Sequence, residues 1–188
     1  MQKETLAYVI GIAIGDGNLS NPNKRAVRLR ITCDNKYENT IINFVDAIQQ
    51  IMPANKVSVQ KRKVNCVDIS CYSNKWENIL GWKVGHGSKC AQNVSVPSWI
   101  KRNKKYCRYC LKGLFETDGS VYKDRAYLMA NFVTTIPALA TAVLSMIEKI
   151  GFYANMQIFR SQNKKRKYTI RVSKNVDKFV RFVNIDKS

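Results

Sequence analysis

The sequence predicts an α+β fold of two pseudo-symmetric halves, each in the order helix-strand-strand-helix-strand-strand-helix (αββαββα). A motif that ends in Asp-Gly occurs twice, at residues 9–17 and 111–119, as an apolar, helix-like run with Gly at its third position. The same order of strand-like and helix-like segments follows each copy, which indicates a duplicated unit. We expect residues 1–84 to form the first half, 85–105 a linker and 106–188 the second half, with the motif helices packed at the centre between antiparallel sheets.

Strands of the first half are predicted from the alternation of apolar and polar residues. We expect a polar turn over residues 18–24 before the first clear strand. In that strand Leu29 and Ile31 face the core, whereas Arg28 and Arg30 face outward. The alternating segments are residues 26–33, 57–62 and 67–72.

Helices of the first half are predicted at residues 38–52, where apolar residues recur every three or four positions and Pro53 ends the run, and at residues 74–80. The second half repeats the order of elements. The second strand of the first hairpin in each half is the least clear element. In the second half we expect strands at residues 126–133, 155–159 and 167–172, and helices at residues 137–150 and 176–183.

The net charge of the chain indicates the class of molecule that it binds. The chain has 32 Lys and Arg against 13 Asp and Glu, a formal net charge of +19. A balance this basic implies a polyanionic partner, and nucleic acid is the leading candidate. A membrane surface would favour a basic amphipathic helix, but the basic residues are spread over strand-like and loop segments. No apolar run reaches the ~18 residues of a membrane span, so we expect no membrane association.

The N-terminal apolar run, residues 6–15, lacks the small-residue cleavage site of a signal peptide, and Glu4 interrupts the basic leader. Six cysteines without such a signal are typical of reduced thiols. We therefore expect an intracellular protein, in the cytoplasm or an organelle.

Two cysteine chemistries stay open. The spacing of His86, Cys90, Cys107 and Cys110 is one that zinc accepts, although Cys107 and Cys110 fall where a helix begins and Cys110 also suits the core. A nucleophile formed by Cys90 and His86 lacks an evident third group to orient the histidine.

The glycines of the two motifs, Gly11 and Gly113, cost helix stability, roughly 1 kcal/mol each relative to Ala. Their expected purpose is close approach of two helix backbones, which would bring Asp16 and Asp118 together. Each carboxylate would then face the negative end of a helix dipole and the other acid. A divalent cation removes both penalties, and oxygen ligands favour Mg²⁺-type ions.

Either motif alone is explained more simply as an Asp-Gly turn that ends a helix. The duplication and the basic strands favour metal binding instead. Because metal-bound water attacks phosphodiesters and metal stabilises the leaving oxygen, a carboxylate pair beneath a basic sheet predicts phosphodiester hydrolysis.

Residues 111–121, Leu-Lys-Gly-Leu-Phe-Glu-Thr-Asp-Gly-Ser-Val, closely resemble the second motif of the LAGLIDADG homing endonucleases. Residues 9–17 fit more loosely, with Ile14 where the family often has an acid. The resemblance covers essentially the whole chain and is to the single-chain, two-motif members. It implies a monomeric, intron-encoded homing endonuclease that cuts double-stranded DNA at a long asymmetric target.

The resemblance also implies site residues. Mg²⁺ would be held by the final motif acids, Asp16 and Asp118, with help from the backbone carbonyls of Gly15 and Thr117. Mn²⁺ is expected to substitute, and Ca²⁺ to bind without supporting cleavage. The family tends to place a basic residue near the metals, and Lys89 is the candidate here.

In this family two sheets form a saddle on DNA, so the outward strand residues are the predicted contacts. Arg and Gln can read guanine and adenine edges in the major groove, whereas the basic clusters at residues 101–105 and 164–167 should meet phosphates. In the first half the predicted contacts are Arg28, Arg30, Thr32, Ser58, Gln60, Arg62, Asp68, Ser70 and Tyr72. In the second half they are Asn131, Gln157, Phe159, Ser161, Lys167, Thr169 and Arg171.

Three alternatives share the fold. An RNA maturase would assist intron splicing without cutting DNA, although the retained pair Asp16 and Asp118 favours an enzyme. A transcription factor would be expected to carry an added helix-turn-helix domain. An intein would be expected to start with Cys or Ser and to end with His-Asn, neither of which the sequence has.

Overall fold

The computed structural model describes residues 2–160 and 166–186 and has two αββαββα halves. A short helix in the connector, α4 (Ser98–Lys101), precedes the second half. The first half contains α1 (Lys3–Gly15), β1 (Gly17–Ser20), β2 (Arg28–Asp34), α2 (Glu38–Ile51), β3 (Val57–Lys61), β4 (Cys66–Tyr72) and α3 (Trp76–Leu80). The second half contains α5 (Lys104–Thr117), β5 (Gly119–Asp124), β6 (Tyr127–Thr134), α6 (Pro137–Lys149), β7 (Ala154–Arg160), β8 (Arg166–Val172) and α7 (Val176–Val183).

Each half has one antiparallel sheet of four strands. The strand orders are β1-β2-β4-β3 and β5-β6-β8-β7, so the two sheets have the same topology. On β2, Leu29 and Ile31 are buried, whereas Arg28 and Arg30, which alternate with them, are half-buried. The alternation places the helices on one face of each sheet and leaves a polar face on the other. The predicted α+β fold of two repeated halves is confirmed.

One expectation was wrong at the start of each half. The polar turn predicted at residues 18–24 begins as a strand, because β1 follows directly after the motif and pairs with β2. The strand that sequence patterns miss is therefore the first of each hairpin and not the second. β1 has only four residues and lies at a sheet edge, so it shows no readable alternation.

The two motif helices cross with their main chains in contact. A Cβ atom built on Gly113 would lie 2.5 Å from the Tyr8 carbonyl oxygen and 2.7 Å from the Ile12 nitrogen. A Cβ atom on Gly11 would overlap the Cys110 carbonyl oxygen. Only glycine fits at either position, because no side chain shift can relieve a clash with backbone atoms.

Helix α1 is buried on all sides, from Ala7 to Gly15. It packs against α5 on one side and α2 on another, which explains why its sequence is apolar all round. The helix belongs to one hydrophobic core that both halves share. None of the helices in the described residues is long and apolar enough to cross a membrane.

We predict that Gly11→Ala lowers the free energy of unfolding by about 3 kcal/mol, because the added methyl group meets backbone that cannot repack. This loss exceeds the ~1 kcal/mol that Ala gains over Gly inside a helix. The control is Gly151→Ala, where a Cβ atom meets open space at a positive φ of 94°, which costs about 1 kcal/mol. Urea denaturation compares the two variants, and equal losses would contradict the close contact.

Candidate functional site

The two motif acids occupy equivalent positions at the ends of the central helices. Asp16 is the C-cap of α1 and Asp118 is the C-cap of α5. Their backbone N–H groups donate to the carbonyl oxygens of Ile12 and Leu114. Both acids are exposed, and a strand begins at the glycine that follows each of them. The helix end thus directs each carboxylate out of the core at the base of its sheet.

The residues just before the two acids touch each other. A Cβ atom on Gly15 would overlap the Thr117 hydroxyl and lie 2.7 Å from the Thr117 Cβ. The Thr117 hydroxyl donates to the Gly113 carbonyl oxygen of its own helix at 2.9 Å. The threonine side chain therefore packs flat on Gly15 and brings the two helix ends, with their acids, to one place.

Lys89, which the connector carries, lies at the same helix ends. Its ammonium donates to the Ile14 carbonyl oxygen at 2.6 Å and also to the Gly15 carbonyl oxygen. A cation suits these carbonyls because they form the negative end of the α1 dipole. Burial lowers the pKa of Lys89, and the nearby carboxylates of Asp118 and Asp16 act in the opposite direction. One ammonium group thus interacts with both acids.

A groove of about 390 Å³ opens beside Asp118. Gly15, Lys89, Asp118 and Lys167 contribute to its wall. Lys167 was predicted as a strand residue that contacts DNA, but its position in this groove was not anticipated. The groove therefore combines an acid with two lysines, a suitable arrangement for a phosphate group and its counter-charges.

The donor set suits a hard divalent cation. In residues 2–160 and 166–186, no three His, Cys, Asp or Glu side chains gather closely enough to hold a metal ion. Mg²⁺ does not need such a cage, because it uses one or two carboxylates together with water and substrate phosphate. The carboxylates of Asp16 and Asp118, with the carbonyls of Gly15 and Thr117, are donors of this kind.

The zinc hypothesis gains no support. Cys107 and Cys110 are fully buried in the core, and the Cys107 thiol donates to the Ile100 carbonyl oxygen at 3.3 Å. Burial raises the pKa of both thiols, which disfavours the thiolate that zinc binds. Cys90 is exposed, outside this core.

The predicted DNA-contact residues of each half lie on the outer face of its sheet. In the first half, Arg30 and Ser58 both pair with Ser70, so their side chains share that face. In the second half, Asn131 pairs with Arg171 in the same way. Among the second set, Ser161 lies outside the described residues. A concavity of about 780 Å³ on this sheet is lined in part by Gln157 and Arg171.

Asp68 differs from the other members of the predicted contact set because its side chain is only 12% exposed. Its carboxylate accepts hydrogen bonds from the Thr32 hydroxyl at 2.7 Å and from Arg62 Nε at 2.7 Å. Burial opposes ionisation of Asp68, but these hydrogen bonds outweigh it and hold its pKa below the usual range. The acid therefore holds neighbouring side chains in position on the sheet face.

Sequence patterns missed the part that Glu116 plays. The side chain is fully buried and accepts from the Tyr8 hydroxyl at 2.5 Å, from the Asp186 backbone N–H at 3.1 Å, and from the Lys112 ammonium. Burial, with Glu116 beside it, raises the pKa of Tyr8. The acid links α1, α5 and the chain after α7. An acid inside an apolar helical run was the one available signal.

Two family models match the chain, one in each half. Residues 5–79 match the model described as the WhiA LAGLIDADG-like domain, and residues 105–184 match the LAGLIDADG-like domain. Together the two matches take in most of the chain. No curated protein matches the sequence.

Solved structures have the same fold. I-DmoI in complex with DNA and Mn superposes with a TM-score of 0.71 at 18% identity, over 99% of each chain. Full-length DUF199/WhiA from Thermatoga maritima superposes with a TM-score of 0.65 at 15% identity, over 100% of this chain and 57% of that one. The N-terminal LAGLIDADG domain of DUF199/WhiA gives 0.63 at 13% identity, over 100% and 86%. At these identities the likeness establishes the fold alone.

We predict that Tyr8→Phe lowers the free energy of unfolding by about 1–3 kcal/mol, because it leaves a buried Glu116 oxygen without its donor. The matched control is Tyr153→Phe. Tyr153 is 63% exposed, and its ring contact with the Lys174 ammonium does not need the hydroxyl, so we expect a change within about 0.5 kcal/mol. Thermal denaturation measures both, and equal effects would show that the buried hydrogen bond adds little.

Proposed function

Because the chain belongs to the LAGLIDADG family, in its single-chain, two-motif form, we propose that it is a divalent-metal-dependent homing endonuclease. Its substrate would be double-stranded DNA, cut on both strands at a long target. The observation that carries the proposal is the contact between the helix ends that carry Asp16 and Asp118, with Lys89 close to both acids and a groove beside Asp118 that contains two lysines. A protein that only binds DNA has no need of paired acids there.

In this proposal Asp16, Asp118 and the neighbouring carbonyls of Gly15 and Thr117 hold the metal. When bound, Mg²⁺ supplies an activated water and stabilises the leaving oxygen of the phosphodiester. Mn²⁺ is proposed to substitute and Ca²⁺ to bind without cleavage. Structures of I-DmoI with DNA contain Mn, Ca or Mg, which supports use of a divalent metal here.

Lysine side chains of the protein supply the other positive charges at the site. Lys89 lies on the carbonyl end of α1 and interacts electrostatically with both acids. A positive charge in that place stabilises the negative charge that develops on phosphate oxygens during hydrolysis. Lys167, on the wall of the same groove, is a second candidate for this role. Both lysines would orient the phosphate between the acids.

Duplex DNA is the substrate class that best matches the outer faces of the two sheets. The net charge of +19 favours a polyanion, and β-strands fit the major groove of DNA, where base edges are read. The outward residues differ between the halves, so we propose an asymmetric target and a monomeric enzyme. An intracellular location and an origin within an intron belong to the same proposal.

A module that binds DNA without cutting it is the second candidate. It is favoured by one observation, that the first half matches the model of the WhiA LAGLIDADG-like domain. Splicing RNA as partner is a further alternative within the family. Cleavage decides between these candidates and the endonuclease, because only the endonuclease needs both acids for turnover.

The test is selection of bound and cut sequences from a randomised duplex library, in Mg²⁺ and in Ca²⁺. Asp16→Asn and Asp118→Asn should each lower double-strand cleavage more than about 100-fold, because metal catalysis supplies several kcal/mol. Binding in Ca²⁺ should change far less. Asp46→Asn on the exposed face of α2 is the control and should cut normally. A sequence that is bound but never cut by the unmodified protein would favour the binding module.

Lys89→Met should lower the cleavage rate about 100-fold with little loss of DNA binding, because it removes a charge that stabilises the transition state. The substitution removes the ammonium and keeps most of the side chain's length. Lys83→Met, at an exposed position between α3 and α4, is the control. Single-turnover cleavage and the melting temperature are measured together, so that lost folding is not mistaken for lost catalysis. Equal rates for the two variants would remove Lys89 from the site.

A further inference from the structure

Strand pairing gives a residue-by-residue correspondence between the two sheets. Gly17 of the first motif pairs with Ile31, and Gly119 of the second motif pairs with Phe132. Ile31 and Phe132 are therefore equivalent, and so are the residues that follow them, Thr32 and Val133. The two outer faces can be compared position by position on this basis.

The correspondence extends across the sheets to the outer strands. Thr32 pairs with Asp68, and Val133 pairs with Thr169, so Asp68 and Thr169 are equivalent. On the next strand of each sheet, Asp68 pairs with Gln60 and Thr169 pairs with Gln157. Two residues beyond those glutamines stand Arg62 and Phe159. The set Thr32, Asp68 and Arg62 in the first half thus matches the set Val133, Thr169 and Phe159 in the second.

In the first half, Arg62 and Asp68 form an ion pair, and the Thr32 hydroxyl supports it. Arg62 donates from Nε and Nη2 to the same carboxylate oxygen of Asp68, at distances of 2.7 and 2.5 Å. The Thr32 hydroxyl donates to the other carboxylate oxygen. The Arg62 side chain is 40% exposed. Its Nη1 group has no partner among the described residues, so one edge of the guanidinium stays available to a ligand.

Asp68 holds the Arg62 guanidinium in one position. A carboxylate that is 12% exposed is costly to leave without a partner, so Arg62 cannot swing away freely. The charge of Arg30 acts on the same acid. A guanidinium already fixed in direction loses little conformational entropy when it binds a ligand.

The same positions in the second half are apolar and exposed. Val133 is 41% exposed and Phe159 is 54% exposed, and Thr169 between them is half-buried. Exposed apolar side chains on a binding face mark a contact that suits an apolar group. In the major groove of DNA, that group is the methyl of thymine.

We infer that Arg62, positioned by Asp68, selects a guanine in the half-site under the first sheet, and that Val133 and Phe159 select an A·T pair at the pseudo-symmetric position under the second. The free guanidinium edge matches the O6 and N7 acceptors of guanine. Asp68 is then a positioning residue that does not itself touch the base. This inference rests on the proposed binding of double-stranded DNA.

The experiment measures binding in Ca²⁺ to duplexes that carry each of the four base pairs at each position of the selected target. One position in the first half-site should prefer guanine by about 10-fold to 100-fold, the range expected for a bidentate arginine contact. Arg62→Lys keeps the charge but loses the bidentate geometry, so it should reduce this preference to less than about 3-fold. Asp68→Asn should reduce it as well.

Control variants distinguish a loss of base preference from a general loss of DNA affinity. Asp34→Asn removes an exposed acid paired with Lys36 at the end of β2 and should leave every preference intact. Phe159→Ser should relax the mirrored A·T preference and leave the guanine preference unchanged. The triple change Val133→Thr, Thr169→Asp and Phe159→Arg builds the first-half set into the second half and should shift its preference to G·C.

Any of three results would overturn the inference. If Arg62→Lys keeps the guanine preference, or if Arg62→Ala weakens all sequences equally, the arginine contacts phosphate and reads no base. If the triple change leaves the A·T preference in place, the paired sets do not set specificity. Failure of the proposed DNA binding looks different, because the unmodified protein would then select no duplex sequence at all. Failure of cleavage alone would leave these binding preferences in place.

Discussion

The contact between the backbones of α1 and α5 is the constraint on which the rest of the structure depends. Two helices that meet at Gly11 and Gly113 hold their ends at a fixed separation, and the acids follow one turn later. Each motif helix also leads directly into the first strand of its own sheet. The crossing therefore sets the position of the acids and the relation between the two outer faces at once.

The two motifs have the same backbone but different chemistry. At the sixth position, Ile14 belongs to the apolar core, whereas Glu116 is a buried acid with three donors. Burying a carboxylate is costly unless it is paired and hydrogen-bonded. Here the partners come from α1 and from the chain beyond α7, so the acid ties the last segment of the protein to the central helices.

Sequence patterns predicted what depends on local periodicity, and missed what depends on partners distant in the chain. The repeated motif and the strand alternation were sufficient for the fold and for the close approach of the two motif helices. β1 was missed because four residues at a sheet edge, with Leu19 as their one large apolar side chain, carry no pattern. Nothing local shows that Asp68 is enclosed by Thr32 and Arg62, or that Tyr8 donates to an acid more than a hundred residues away.

An interface made from main chain has little dependence on the identity of its neighbours. At the crossing of α1 and α5 the requirement is absence of a side chain at two positions, and glycine supplies it in any sequence. Halves with different outer faces can therefore be joined through the same crossing, provided that the first half keeps Tyr8 opposite the buried Glu116 of the second. The protein is in this sense modular, and recombination of halves offers a direct evolutionary route to new pairs of outer faces on an unchanged centre.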